Sequence, residues 1–396
     1  MRAQNGRLVA LVAAVAVAAI TGGGALAYRQ GPRAINEADA APLSSSPSPV
    51  PSTPAKSATT AKPTPTPSST PSSKPSTPVT STPSGPIKTK IDLKKLTDGR
   101  APQIAYLAGR TIRGGAGNDV KVPGTTNIQA VARLGSSGLA VVTKGYGTEM
   151  LTLDGEGNVT RRTPDVTQIA TRNDGLAAAY VATRLKDTGE NLAGATIYAE
   201  QAEGSPGVQK VTVPDIWNTT LLGYVNGKVY FDASTTQDGT GSLYEWTPGE
   251  SKATQLKSVP KTMAVSSVGT AGSLTTLADQ NSCSSLLTIP SGKRLWRTCE
   301  YQILGFTPDG ATAIAGPIYQ DGYGSGITAV LDAEKGTLLH EWSGVFRQWI
   351  PEDDEHLLLL ADTGEQTPAS IVRCNISTGA CERATPLAKG ELLIGS

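Results

Sequence analysis

The sequence predicts an all-β fold: a seven-bladed β-propeller closed by its own C-terminal strand. An N-terminal hydrophobic helix and a disordered Pro/Ser/Thr-rich linker precede it. Three observations lead there. Residues 91–396 alternate short apolar runs with turn residues and show no convincing helical period. A pair of hairpins recurs six times along that region. The remnants at its two ends amount to three strands and one strand, the parts of a seventh unit.

In chain order, residues 1–28 come first. Arg2 and Arg7 precede the uninterrupted apolar run Leu8–Ile20, and no charge follows until Arg29. A basic start, an apolar run and Ala25-Leu26-Ala27 suit a cleavable secretory signal. Leu8–Tyr28 is also just long enough to span a bilayer as a single helix. Arg2 and Arg7 would then lie inside, although Arg29 and Arg33 weaken the asymmetry. Either reading exports the rest of the chain: a single-pass cell-membrane protein with the propeller outside the cytoplasm, or a secreted one.

Residues 29–90 form the linker. Within 42–86, 13 residues are Pro and 22 are Ser or Thr, so almost nothing there could bury apolar surface and offset the entropy of ordering. Such proline density favours an extended stalk, with a reach on the order of 140 Å at about 3.1 Å per residue. A long stalk makes most sense with one end fixed, which favours the membrane anchor over the cleaved signal.

The propeller occupies 91–396. Its first hairpin type reads apolar run, turn, apolar run. Copies include "VARLGSSGLAVVT" (131–143), "LLGYVNGKVYFD" (221–232), "ILGFTPDGATAIAG" (303–316) and "QWIPEDDEHLLLLA" (348–361). Five of the six copies carry Gly at the turn, where positive φ costs it nothing. The sixth has Asp353-Asp354-Glu355 instead. A second hairpin follows each copy, so a unit is four strands, A to D. Units start near 128, 166, 217, 263, 302 and 346, the spacing of propeller blades. "QIAYLAGRTIRGGAGNDVKVP" (103–123) holds about three strands, and "ELLIGS" (391–396) falls where the next strand A belongs. Pairing the two closes the ring and removes its exposed sheet edges. Six blades with ragged ends is the alternative.

"GFTPDGATAIAG" (305–316) resembles the recurring hairpin of WD40-like and TolB-like propellers, in which strand A ends at a Pro-Asp-Gly turn. The resemblance spans roughly 103–396 as an architecture. The full WD40 signature is absent; "YEW" (244–246) and "HEW" (340–342) are its nearest substitutes. What the resemblance implies is a fold, and fold alone does not imply activity.

Cys283 and Cys299 flank one C–D turn, and Cys374 and Cys381 flank another, each pair symmetric about its turn. Disulfides 283–299 and 374–381 follow, in an oxidising compartment. A metal site is the rival for the second pair, disfavoured by the lack of further ligands nearby.

Chemistry is sparse. A net charge of +1 gives no case for nucleic acid. There is no HExxH, P-loop or G-x-S-x-G pattern. In "GYGSG" (322–326) the Ser stands one place late for a nucleophile elbow. "DGEGN" (154–158) faintly resembles a calcium loop, but it aligns with an ordinary C–D turn. His340 and His356 read as structural or surface residues. No cofactor or metal is expected, and no catalytic residue is identified.

The one functional pattern concerns the B–C loops, which share a face with the D–A loops. Five of them carry an aspartate: Asp187, Asp238, Asp279, Asp321 and Asp362. Tyr319, Tyr323 and Tyr146 lie in or beside such loops. Ordinary turn chemistry explains each aspartate individually. Together with the tyrosines they make a ligand-binding face for a wall glycan, a peptide or an exported protein. The sequence thus reads as an exported binding module, with membrane contact through the N-terminal helix if that is uncleaved. The alternative is an exported lyase or glycosidase-like enzyme using two of these carboxylates. A redox-cofactor propeller is weaker, for want of a Trp-rich stacking repeat.

Overall fold

A computed structural model describes residues 86–396, apart from 173, 203–206, 276–280, 321–322 and 364–367. The N-terminal hydrophobic segment and almost all of the linker therefore lie outside the described residues, as do Asp279 and Asp321. The described chain is all β and contains no helix. No helix in it is long and apolar enough to cross a membrane.

Five separate four-stranded sheets and one larger sheet make the blades. Blades two to five are antiparallel meanders beginning at Ile128, Val166, Trp217 and Thr262. Blades six and seven share one long strand, Leu338–Pro351. Its first part pairs with Ser325–Asp332 as strand D of blade six, and its second part with His356–Asp362 as strand A of blade seven. Blade one pairs Leu392–Ile394 from the C-terminus with Tyr106–Ala108, followed by Thr111–Arg113 and Val120–Lys121. The ring therefore has seven blades and closes on its last strand; the six-blade alternative falls.

The core lies between blades. Seven apolar clusters fill the seven interfaces, each drawing on strands of two neighbours. The closing interface packs Leu392 and Ile394 against Ile350, Leu358, Leu360 and Ile371 of blade seven. Alternation explains how one chain makes such layers: a blade in mid-ring is covered on both faces, so its strands read as near-continuous apolar runs. Leu357–Leu360 of blade seven, fully buried, is the clearest case.

The A–B turns behave as their sequence requires. Gly135, Gly175, Gly227, Gly269 and Gly310 all have φ between +56° and +76°. The turn without glycine is folded by carboxylates. Asp353 accepts from the Glu355 amide at 2.8 Å and from His356 Nδ1 at 2.9 Å. Asp354 accepts from the Asp309 amide of blade six at 2.8 Å.

Strand A of blades two to seven also carries a bulge, at Gln129, Thr167, Leu222, Met263, Leu304 and Arg347. An extra residue raises local twist and re-aims side chains. Just beyond two of these bulges, a glutamine reaches the next blade. Gln168 accepts from the Leu221 amide at 2.5 Å, and Gln348 accepts from the Ile394 amide at 2.8 Å across the closing interface.

One strand lies inside the stretch read as linker. Ile87–Lys90 pairs in parallel with His340–Ser343 and adds a fifth strand to the outer edge of blade six. The ordered chain thus begins before residue 91, because "IKTK" after Pro86 has the period-two alternation of a half-buried strand. Its two exposed lysines suit an outer edge. From there Leu93 enters the core between blades six and seven, and Asp98 pairs with Arg383 at the rim of blade seven. Residues 100–103 then meet a buried ion pair. Arg373 donates to Glu352 at 2.5 and 2.9 Å and to the carbonyls of Arg100 and Ala101, while Glu352 accepts from the Gln103 amide at 2.6 Å. This N-terminal strap crosses blades six and seven before the chain enters blade one.

Both disulfides form as the sequence predicts. Cys374 and Cys381 face each other across strands C and D of blade seven, with Cα atoms 4.1 Å apart. Cys283 and Cys299 bracket the C–D hairpin of blade five at the same separation, 4.1 Å.

Candidate functional site

Strands alternate in direction, so the B–C and D–A connections emerge together on one face and the A–B and C–D turns on the other. The aspartates singled out by sequence have divergent fates on the first face. Asp187 is exposed in the loop between Leu185 and Asn191, beside a Lys186–Glu190 ion pair of 2.7 Å. Asp238 is exposed in the corresponding loop of blade four. Asn218 steadies that loop by donating to the Gln237 carbonyl at 2.7 Å.

Asp362 is different. It is the last residue of strand B in blade seven and is only 7 % exposed. Arg347 donates to it through Nε at 2.5 Å and Nη2 at 3.4 Å. The Tyr323 hydroxyl reaches the same carboxylate from blade six at 3.3 Å. Two residues chosen from sequence, Tyr323 and Asp362, thus meet in one cluster that spans adjacent blades. The three described aspartates sit on three different blades, and Arg347 compensates the charge of the buried one. Among the described residues no three His, Cys, Asp or Glu side chains group to hold a metal.

Sequence reasoning missed Arg347. The signal was there in principle: its aligned neighbours at the strand A bulge are Gln129, Thr167, Leu222, Met263 and Leu304, none charged. An arginine at that position needs a partner on the same face, and the end of strand B supplies one.

Beside this cluster lies an open cleft of about 350 Å³ lined by Pro317, Tyr319, Gln320, Gly324, Gly326 and Ile327. None of these residues is charged. Tyr319 and Tyr323 are 40 % and 44 % exposed at its rim, and Tyr146, in the B–C turn of blade two, is 78 % exposed. The described B–C/D–A face therefore presents three large amphipathic side chains to solvent on a rigid ring.

Asp232, also missed, stands near the B–C end of strand B in blade four. Its carboxylate accepts from the Thr262 amide of blade five at 3.0 Å. Gly241 leaves room for it: a Cβ there would fall 1.8 Å from Asp232 Oδ1. Burial outweighs that one hydrogen bond and pushes its pKa up to about 6.

The remaining sequence candidates are structural. His340 is buried, stacks on Trp342 and donates through Nε2 to the Ser377 carbonyl at 3.0 Å. His356 serves the Asp353 turn. Asp154 accepts from the Glu156 and Asn158 amides, so "DGEGN" is a turn closed on itself.

No protein-family model matches the chain, and no curated protein sequence matches it. Solved structures do. A prolyl endopeptidase matches at 15% identity and a TM-score of 0.50, over 71% of this chain and 46% of that one. This chain thus spans under half of that peptidase. TolB of Acinetobacter baumannii matches at 14% identity and a TM-score of 0.38, over 61% of this chain and 66% of that one. The C-terminal WD40 domain of Sif2 matches at 11% identity and a TM-score of 0.40, over 69% of this chain and 96% of that one. At these identities the likeness is one of fold.

Proposed function

We propose that this seven-bladed β-propeller acts outside the cytoplasm as a binding module for a protein partner, engaged through its B–C/D–A face. The observation that carries this reading is the trio Tyr146, Tyr319 and Tyr323, exposed on loops of that face. Tyrosine supplies large amphipathic contact area with few rotors to freeze, and such residues concentrate at interaction hot spots. Loops on a rigid scaffold are where binding residues collect. Location is supported by Leu8–Tyr28, by the Pro/Ser/Thr-rich linker and by two disulfides, which persist in oxidising compartments. On this reading the linker is a stalk that holds the propeller away from the membrane.

The test is affinity capture from cell envelopes with the full chain, compared with two variants. One carries Tyr146→Ala, Tyr319→Ala and Tyr323→Ala. The other carries Leu176→Ser and Val268→Ser, on exposed A–B turns of the opposite face. The tyrosine variant should lose the captured protein by about tenfold or more, as expected for hot-spot residues, and the control should retain it. Equal capture by both variants would overturn the assignment of the face. N-terminal sequencing tests location: an intact start supports the anchor, a new terminus at Tyr28 a secreted form.

A further inference from the structure

We propose that the Cys283–Cys299 bridge is a thiol-exchange site, at which a low-molecular-weight thiol or a dithiol protein attacks Cys299 and displaces Cys283. The two sulfurs differ in a way that sets the direction. Cys283 is 4 % exposed, whereas Cys299 is exposed at the end of the C–D hairpin. An incoming thiolate therefore meets Cys299 first. Arg297 lies near the end of strand D, two residues before Cys299, which follows the end of the strand, and its Nη2 donates to Cys283 Sγ at 3.0 Å. A guanidinium there stabilises the negative charge that develops on the departing sulfur, and a better-stabilised thiolate leaves faster. The Asn281 carbonyl is farther from that sulfur, at 4.0 Å.

The other bridge is less open to attack. Cys374 is fully buried within the core between blades six and seven. Cys381 is only partly exposed, and its Sγ lies 3.6 Å from the Gly379 carbonyl, a dipole that disfavours a thiolate. The chain thus carries one inert bridge and one prepared for exchange.

The steps balance without another reactant. A thiolate RS⁻ attacks Cys299 Sγ, an RS–S bond forms, and the Cys283–Cys299 bond breaks with its electron pair on Cys283. A second RS⁻ attacks the RS sulfur of the mixed disulfide and releases the Cys299 thiolate with RS–SR. Two thiols are oxidised, the bridge is reduced, and each protein thiolate can take up one of the protons the thiols shed. The bridge joins the start of strand C to the D–A connection of blade five, so exchange unties that connection on the B–C/D–A face. The chemistry stands whether or not that face binds a protein.

The test uses the full chain in reduced glutathione, quenched at intervals with an alkylating agent and read by peptide mass spectrometry. Cys283–Cys299 should open about tenfold or more faster than Cys374–Cys381 in the same sample. The glutathione adduct should form on Cys299. Arg297→Met, which keeps the stem and removes the charge, should slow opening about threefold or more, and Arg297→Lys should restore much of the rate. Opening of Cys374–Cys381 first, an adduct on Cys283, or an unchanged rate in Arg297→Met would each overturn the proposal. The comparison of the two bridges needs no variant, so it stands even if Arg297→Met folds poorly.

Discussion

Removing residues 391–396 should open the ring, and the size of the effect follows from what those residues bury. Leu392 and Ile394 are 4 % and 3 % exposed, between blades seven and one. Truncating one such side chain to alanine costs about 2–5 kcal/mol. Deletion removes both, together with the pairing of Leu392–Ile394 to Tyr106–Ala108. It also strands the Gln348 side-chain oxygen, which accepts from the Ile394 amide, and exposes the edge of Tyr106–Ala108. Neighbours in one cluster are not strictly additive. Even so, the loss reaches about 4–10 kcal/mol, against a total of about 5–15 kcal/mol for a typical domain. The truncated protein should therefore be largely open or aggregated at 37 °C, and Ile394→Ala alone should lose about 2–5 kcal/mol. Urea unfolding followed by tryptophan fluorescence measures both. Adding a peptide of residues 390–396 should recover part of the lost stability. A deletion that shifts stability by less than about 1 kcal/mol would refute the clasp, because that is below the burial of one such side chain.

Two further perturbations probe the polar groups between blades. Arg373→Met removes the buried partner of Glu352 and leaves it only the half-exposed Arg100, 3.7 Å away, so it should cost about 3 kcal/mol in urea unfolding, whereas Arg373→Met with Glu352→Leu should cost clearly less; equal losses would mean the pair is not coupled. Asp232 gives a pH signature. Burial raises its pKa from 3.8 to about 6, so between those values the folded protein holds a proton that the unfolded chain has shed. Stability from this group is therefore greatest near pH 4, falls as pH rises to about 6, and is level above. Asp232→Asn should melt higher than the parent at pH 7, by at most about 3 kcal/mol, and match it near pH 4. Thermal melts from pH 4 to 8 decide the matter, and a difference that does not vary with pH would exclude Asp232 as the cause.

Blade boundaries were legible because turn glycines and apolar runs repeat locally, and closure was legible because three strands and one strand make a blade. Disulfides could be read because each pair is symmetric about a C–D turn. The strap could not. Ile87–Lys90 finds its partner at His340–Ser343, far along the chain, and four residues give no sign of parallel pairing. Nor could the bulges be read, since a bulge exists only in the register between two strands. That is why Arg347 was passed over: its re-aimed side chain meets Asp362 only once both strands are in place. The aspartates show the same limit. Loop position aligned Asp187, Asp238 and Asp362, but burial separates the last from the other two, and burial depends on what stands opposite.

The two faces of the ring carry different constraints, and this difference favours the B–C/D–A face as the functional one. Near the A–B turns, blades are stitched to their neighbours. The Gly135 amide donates to the Gly175 carbonyl, Asn226 to the Ser267 carbonyl, and Ser267 to the Pro308 carbonyl. Asp354 accepts from the Asp309 amide, Glu352 from the Gln103 amide, and the Ser396 amide donates to the Val131 carbonyl. Each such turn therefore carries a contact that a neighbouring blade depends on, so its sequence cannot drift freely. The B–C loops differ in length instead, from residues 145–146 in blade two to 275–283 in blade five. Local ties such as Lys186–Glu190 and Asn218–Gln237 hold two of them within their own blades. A loop held within one blade can change its residues without unlocking the ring, which is the condition under which a scaffold acquires a binding surface. Tyr146 stands on the two-residue loop of blade two on this face, while Tyr323 of blade six also reaches Asp362 of blade seven at 3.3 Å. Tyr146, 78 % exposed, can therefore act as a contact residue without loosening the ring.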